Sequence, residues 1–99
     1  MQYPIGPTKY APAGFIAKKK YQADNSLALV ATDGRGEPLY TATVKLDIRP
    51  QQGCVWIKTW SENEGVLEAL IDANIVFPTG RVHNVNQHGS KAVEVEIQM

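Results

Sequence analysis

Apolar and polar positions alternate with a strand's period of two over much of the chain, and with a helix's period only once. Phe15-Ile-Ala-Lys-Lys-Lys-Tyr-Gln22 places Phe15, Ala17, Lys19 and Tyr21 on one parity, which predicts a strand despite three consecutive lysines. Asp24-Asn25-Ser26 then marks a turn. Leu27–Thr32 and Leu39–Leu46 are two further strand-like runs, separated by Asp33-Gly34-Arg35-Gly36-Glu37-Pro38. Both glycines accept positive φ cheaply, so this stretch predicts a hairpin. Asp47–Gly53 reads as a loop and Cys54–Thr59 as another strand, with Cys54, Trp56 and Lys58 opposed to Val55, Ile57 and Thr59. At the end of the chain, Val93, Val95 and Ile97 alternate with Glu94, Glu96 and Gln98, the signature of a half-solvated antiparallel strand.

The helical stretch starts at Ser61. Ser61-Glu62-Asn63-Glu64 has capping-box spacing, with the serine oxygen accepting from the amide three residues on and Glu64 reaching back. Val66, Leu67, Leu70 and Ile71 form one apolar stripe, and Asn74 suits a left-handed C-terminal cap. Ile75-Val76-Phe77 is a short apolar strand stopped by Pro78-Thr79-Gly80; Arg81–Val85 is a brief extended piece, and Asn86–Ser90 a turn. Residues 1–14 carry Pro4, Pro7 and Pro12 with Gly6 and Gly14, which predicts an extended arm rather than an element. The expected organisation is an arm over 1–14 and a single α+β domain over 15–99. That domain would be an antiparallel sheet of about five strands with one helix packed on one face, covering one of the tryptophans.

Composition narrows the function classes. Ninety-nine residues, 43% hydrophobic and 20% charged, suit one compact domain, and two Trp, four Tyr and two Phe exclude wholesale disorder. Ten Lys plus Arg balance ten Asp plus Glu, excluding both a bulk polycation and a strongly acidic nucleic-acid mimic. Cys54 is the only cysteine, so no intramolecular disulfide forms. The first residues lack a charged stretch followed by an apolar one, and no apolar run nears the roughly 20 residues of a membrane span. A cytoplasmic location without membrane contact is the expectation.

Candidate chemistry is sparse. His83, His88 and Cys54 lack paired zinc-ligand spacing, and Cys54 sits in an apolar strand where thiols are usually inert. No nucleophile elbow, phosphate-binding loop or dinucleotide fingerprint occurs, so no enzyme, metal or cofactor is expected. The charge map says more. Residues 1–20 hold Lys9, Lys18, Lys19 and Lys20 without an acid, whereas residues 61–72 hold Glu62, Glu64, Glu68 and Asp72 without a base. Glu64, Glu68 and Asp72 recur every four residues, a like-charged stripe on a helix. Its bland interpretation is a solvated face or a pairing with the lysine strand. Its functional interpretation is an interface, with Trp60, for a protein with a basic surface such as a nucleic-acid-binding defence complex. The alternative is nucleic-acid binding through Lys18, Lys19 and Lys20, of which strand parity puts Lys19 on the opposite side from its neighbours. The chain is expected to be a monomer or homodimer; Glu94 and Glu96, expected to be exposed, argue against pairing along the last strand.

Residues 53–81, from Gly53-Cys-Val-Trp-Ile-Lys through Ser61-Glu-Asn-Glu-Gly and Leu67-Glu-Ala-Leu to Pro78-Thr-Gly-Arg, resemble a family of small uncharacterised proteins. That family is carried by plasmids, integrative conjugative elements and phages of bacteria. Thr41–Leu46 fits it more loosely, and residues 1–20 lie outside the likeness. No site residue comes with the resemblance. What it implies is a setting, accessory cargo of a mobile element, in which many small non-enzymatic proteins inhibit host defence. Anti-CRISPR proteins that block a nuclease complex by steric occupation are among them.

Overall fold

Pro38–Val44 pairs with two different strands in succession, and this divides the sheet in two. The structure is a computed structural model describing residues 3–99. It has an α+β fold of two antiparallel sheets with one short helix packed against them. The first sheet runs β1 (Tyr3–Ile5), β2 (Gly14–Lys20), β3 (Leu27–Thr32) and β4 (Pro38–Thr41), adjacent in that order. The second contains β5 (Cys54–Lys58), β6 (Val76–Asn84) and β7 (Lys91–Ile97), with β7 in the centre. One sheet of about five strands was expected; Leu39–Leu46 does not stay with β3 long enough to make it.

The departure from β3 is built from backbone groups. The Ala42 amide donates to the Leu29 carbonyl at 2.8 Å, while the Ala42 carbonyl accepts from the Lys58 amide at 3.0 Å. Thr43 bridges to Ile57, and the Val44 amide donates to the Trp56 carbonyl at 3.0 Å. The Leu29 amide, left without a ladder carbonyl, donates to Thr43 Oγ1 at 3.3 Å. A threonine at this position therefore replaces a lost backbone acceptor, and Ala42–Val44 joins the two sheets. The shared core includes Ile5, Ile16 and Leu29 from the first sheet and Val55, Ile57 and Val95 from the second.

Part of the expected arm is structured. Ile5 pairs with Gly14 and Tyr3 with Ile16, making β1 an outer strand that buries Ile5. Pro4 lies on this outer strand, where a missing donor is tolerated. Gly14 is required at the start of β2, because a Cβ there would collide with the Thr32 carbonyl oxygen. Met1 and Gln2 of the expected arm lie outside the described residues.

The helix begins later than its capping-box spacing suggests. Ser61–Asn63 form one 3₁₀ turn, Ser61 itself takes a positive φ of 59°, and its side chain caps nothing. Asn63 explains the difference: it is buried, and its Nδ2 donates to the Thr41 carbonyl at 2.8 Å, fastening the turn to the end of β4. The chain then reverses through Gly65, at φ 88°, before α1 (Val66–Asp72) can start. Val66 and Leu70 are fully buried against both sheets, with Leu67 and Ile71 half-buried beside them, as the stripe requires. Asn74 takes the left-handed cap, φ 59°, and donates its amide to the Ile71 carbonyl.

Three other expectations change in the second sheet. Pro78-Thr79-Gly80 does not end the strand: β6 continues to Asn84 through a register shift between Pro78 and Val82. As an outer strand it tolerates both proline and bulge. Neither tryptophan joins the core beneath α1, because Trp56 occupies the face of β5 opposite Val55 and Ile57. Glu94, expected in solvent, is buried on that same outer face, while Glu96 is exposed.

A fastened turn, rather than a capping box, makes two substitutions diverge. Asn63→Ala is expected to cost about 1–3 kcal/mol through loss of a buried hydrogen bond. Ser61→Ala should fall within about 0.5 kcal/mol of the parent, since no cap is lost. Urea unfolding of both variants checks this; equal losses would restore the capping box.

Candidate functional site

Gly65 rearranges the expected acidic stripe. Glu68 and Asp72 stand one turn apart on α1, both exposed, and among the described residues neither has an ion-pair partner. Glu64 is not on the helix: it ends the 3₁₀ turn with extended backbone, and its carboxylate is 3.9 Å from Lys9 Nζ. The three acids thus form a helical pair plus a neighbour displaced by the left-handed glycine. Trp60 is half-buried where β5 meets the turn. Lys58 Nζ lies 5.6 Å from its ring centroid and 2.6 Å from Glu62 Oε1. That ammonium hydrogen bond holds the Glu62 carboxyl well below the usual carboxylate range.

Lys18, Lys19 and Lys20 are all exposed at the end of β2. Their side chains alternate across the strand, as parity demands, but both sides are open to solvent here. Among the described residues, the lysines paired with the acidic segment are Lys58, with Glu62, and Lys9, with Glu64, and none of the three on β2 has an ion-pair partner.

A polar cluster on the outer face of the second sheet was not foreseen. Strand register sets Trp56 opposite Glu94, both buried. Glu94 accepts hydrogen bonds from Thr79 Oγ1 at 2.6 Å, the Gln51 amide at 2.9 Å and Arg81 Nη1 at 2.9 Å. The Arg81 guanidinium also lies 5.1 Å from the Trp56 ring centroid, a cation–π distance. Trp56 Nε1 donates to the Ile48 carbonyl at 2.8 Å. Burial opposes ionisation of Glu94, but the Thr79 hydroxyl, the Gln51 amide and the Arg81 charge outweigh it and hold its carboxyl below 4.5. The 45–53 loop is thus fastened over this face at Ile48 and Gln51. The signal that could have found the cluster is Trp56 itself: an indole on the parity of Glu94 and Glu96 needs a cover, and Asp47–Gly53 is the adjacent loop.

The cluster organises structure, and the thiol beside it is not activated. Burial pushes the Cys54 thiol up, and the Glu94 and Glu96 carboxylates add to the effect, which leaves it poorly nucleophilic. His83 stacks at a tilt beside Trp56, 6.2 Å between ring centroids, whereas His88 is exposed in the β6–β7 turn. Among the described residues, no group of three His, Cys, Asp or Glu side chains converges to hold a metal ion. Beside the loop lies a cavity of about 390 Å³, bounded by Tyr21, Thr43, Lys45, Arg49 and Trp56. No described helix is long and apolar enough to cross a membrane.

Comparison with protein-family models, curated proteins and solved structures finds no match for this chain. The resemblance of residues 53–81 to the mobile-element family therefore has no matched model behind it.

The Glu94 site makes a pH-dependent contribution whose sign is set. A carboxyl depressed on folding stabilises the fold above its unfolded value, near 4.5, and that stabilisation is lost as pH falls through the folded value. Glu94→Gln is expected to be destabilising by about 1–3 kcal/mol at neutral pH. The gap to the parent should narrow at pH about 3. Urea unfolding at the two pH values checks this, and a gap independent of pH would contradict it.

Proposed function

We propose that the protein is a non-enzymatic protein-binding module that acts by steric occupation of a basic partner surface. Glu68 and Asp72, with Glu64 and Trp60 beside them, form the contact region. In the mobile-element setting that the resemblance implies, the fitting partner is a host defence complex whose Lys/Arg groove otherwise holds nucleic acid, an anti-CRISPR-like role. One observation carries the proposal: Glu68 and Asp72 stand exposed at i, i+4 without a cationic partner among the described residues. Such like-charged spacing costs the free helix a few tenths of a kcal/mol, roughly, and a basic partner would relieve it. Glu64 adds a third charge held only by a 3.9 Å contact between exposed groups, which contributes little to stability.

The test is capture from host extract with the tagged parent and with the Glu68→Lys/Asp72→Lys double variant. The parent is expected to retain a nucleic-acid-binding protein that added duplex DNA displaces. The variant should lose it while its melting temperature stays within a few degrees, roughly, since both positions are exposed. Retention of the same partner by the double variant would contradict the proposal.

Nucleic-acid binding through Lys18–Lys20 is the second reading, favoured by the exposure of all three ammonium groups on consecutive residues. It expects a gel shift that weakens steeply with salt. No shift at low salt would remove it.

A further inference from the structure

We propose that the cavity beside the 45–53 loop binds a small amphipathic monoanion, a molecule with an apolar body of one or two rings and a single acidic group. This site shares no residue with the protein-binding region proposed above.

The cavity, about 390 Å³, opens where Thr43–Pro50 crosses from one sheet to the other. The β2–β3 turn bounds one side and the start of β5 the other. Its volume lies in the range of small-molecule sites, and like them it combines apolar walls with a few polar groups. Leu27, Leu46, Pro50 and Val55 provide the walls, and Trp56 provides an indole.

The charges at the lining do not cancel. Lys45 Nζ bonds Asp24 at 2.8 Å, so these two compensate each other, and Lys45 also lies 5.6 Å from the Tyr21 ring centroid. Arg49 is exposed and has no acidic partner among the described residues. One guanidinium is thus left uncompensated at the lining, and its fork of donors suits a carboxylate or sulfonate. Inside, the Tyr21 and Thr43 hydroxyls bond each other at 2.9 Å. Apolar walls and one free guanidinium together select the proposed class over a bare inorganic anion.

The probe is 8-anilinonaphthalene-1-sulfonate, which carries an aromatic body and one sulfonate. A Trp60→Phe background leaves Trp56 as the sole indole. Saturable one-to-one binding is expected, with quenching of Trp56, under conditions where circular dichroism shows the native fold. Arg49→Glu should weaken it about tenfold or more, whereas Arg49→Lys should stay within about threefold of the parent. Indole-3-acetate should displace the probe, and inorganic phosphate at the same concentration should not. Non-saturable binding, binding indifferent to Arg49→Glu, or displacement by phosphate as effective as by indole-3-acetate would each overturn the proposal.

Discussion

The backbone groups of Ala42, Thr43 and Val44 face two sheets, and the arrangement of the molecule follows from how they are divided. Ala42 donates to β3 and accepts from β5, and Val44 then donates to β5. Each buried backbone group needs a partner, so the chain leaves one strand only as fast as the next supplies acceptors. The Leu29 amide is the one left over, and the Thr43 hydroxyl takes it. Two sheets consequently share one core, which includes Ala42 itself, and α1 covers both with Val66 and Leu70. Asn63 reinforces the same junction from the helix side by bonding the Thr41 carbonyl.

The crossing also accounts for the outer face of the second sheet. Once Val44 has paired with Trp56, the following loop runs over β5 and is fastened at Ile48 and Gln51. Glu94 can be buried there because three donors, one of them a guanidinium, surround it; without them its burial would be prohibitive. The same loop leaves a cavity against the β2–β3 turn, so the Glu94 cluster and the cavity are two consequences of one excursion. The acidic pair on α1 is independent of both. Its exposure follows from the helix burying Val66 and Leu70 on its opposite side.

Features governed by neighbouring residues were legible in the sequence: the hairpin around Gly36, the strands Leu27–Thr32 and Cys54–Lys58, the Val66/Leu70 stripe and the Asn74 cap. Those governed by distant partners were not. Ser61 and Glu64 have capping-box spacing, but Asn63 is claimed by Thr41, 22 residues away, and the turn closes differently. Glu94 has the spacing of a solvated position, and only Arg81, Thr79 and Gln51 together make it a buried one. Of the site residues expected from sequence, Glu68, Asp72 and Lys18–Lys20 are exposed and Trp60 is half-buried, while Glu64 is displaced from the helix by Gly65. The cavity left no local trace, because its walls come from three separated segments.

Native-state hydrogen exchange of the Ala42, Val44 and Lys58 amides tests the central claim most directly. If the crossing segment holds the two sheets together, these three amides exchange only through global unfolding, with the same free energy of opening as Val30 and Val95 in the two sheet interiors. Exchange of Ala42 and Val44 through a lower-energy local opening, with the sheets remaining protected or opening separately, would contradict it.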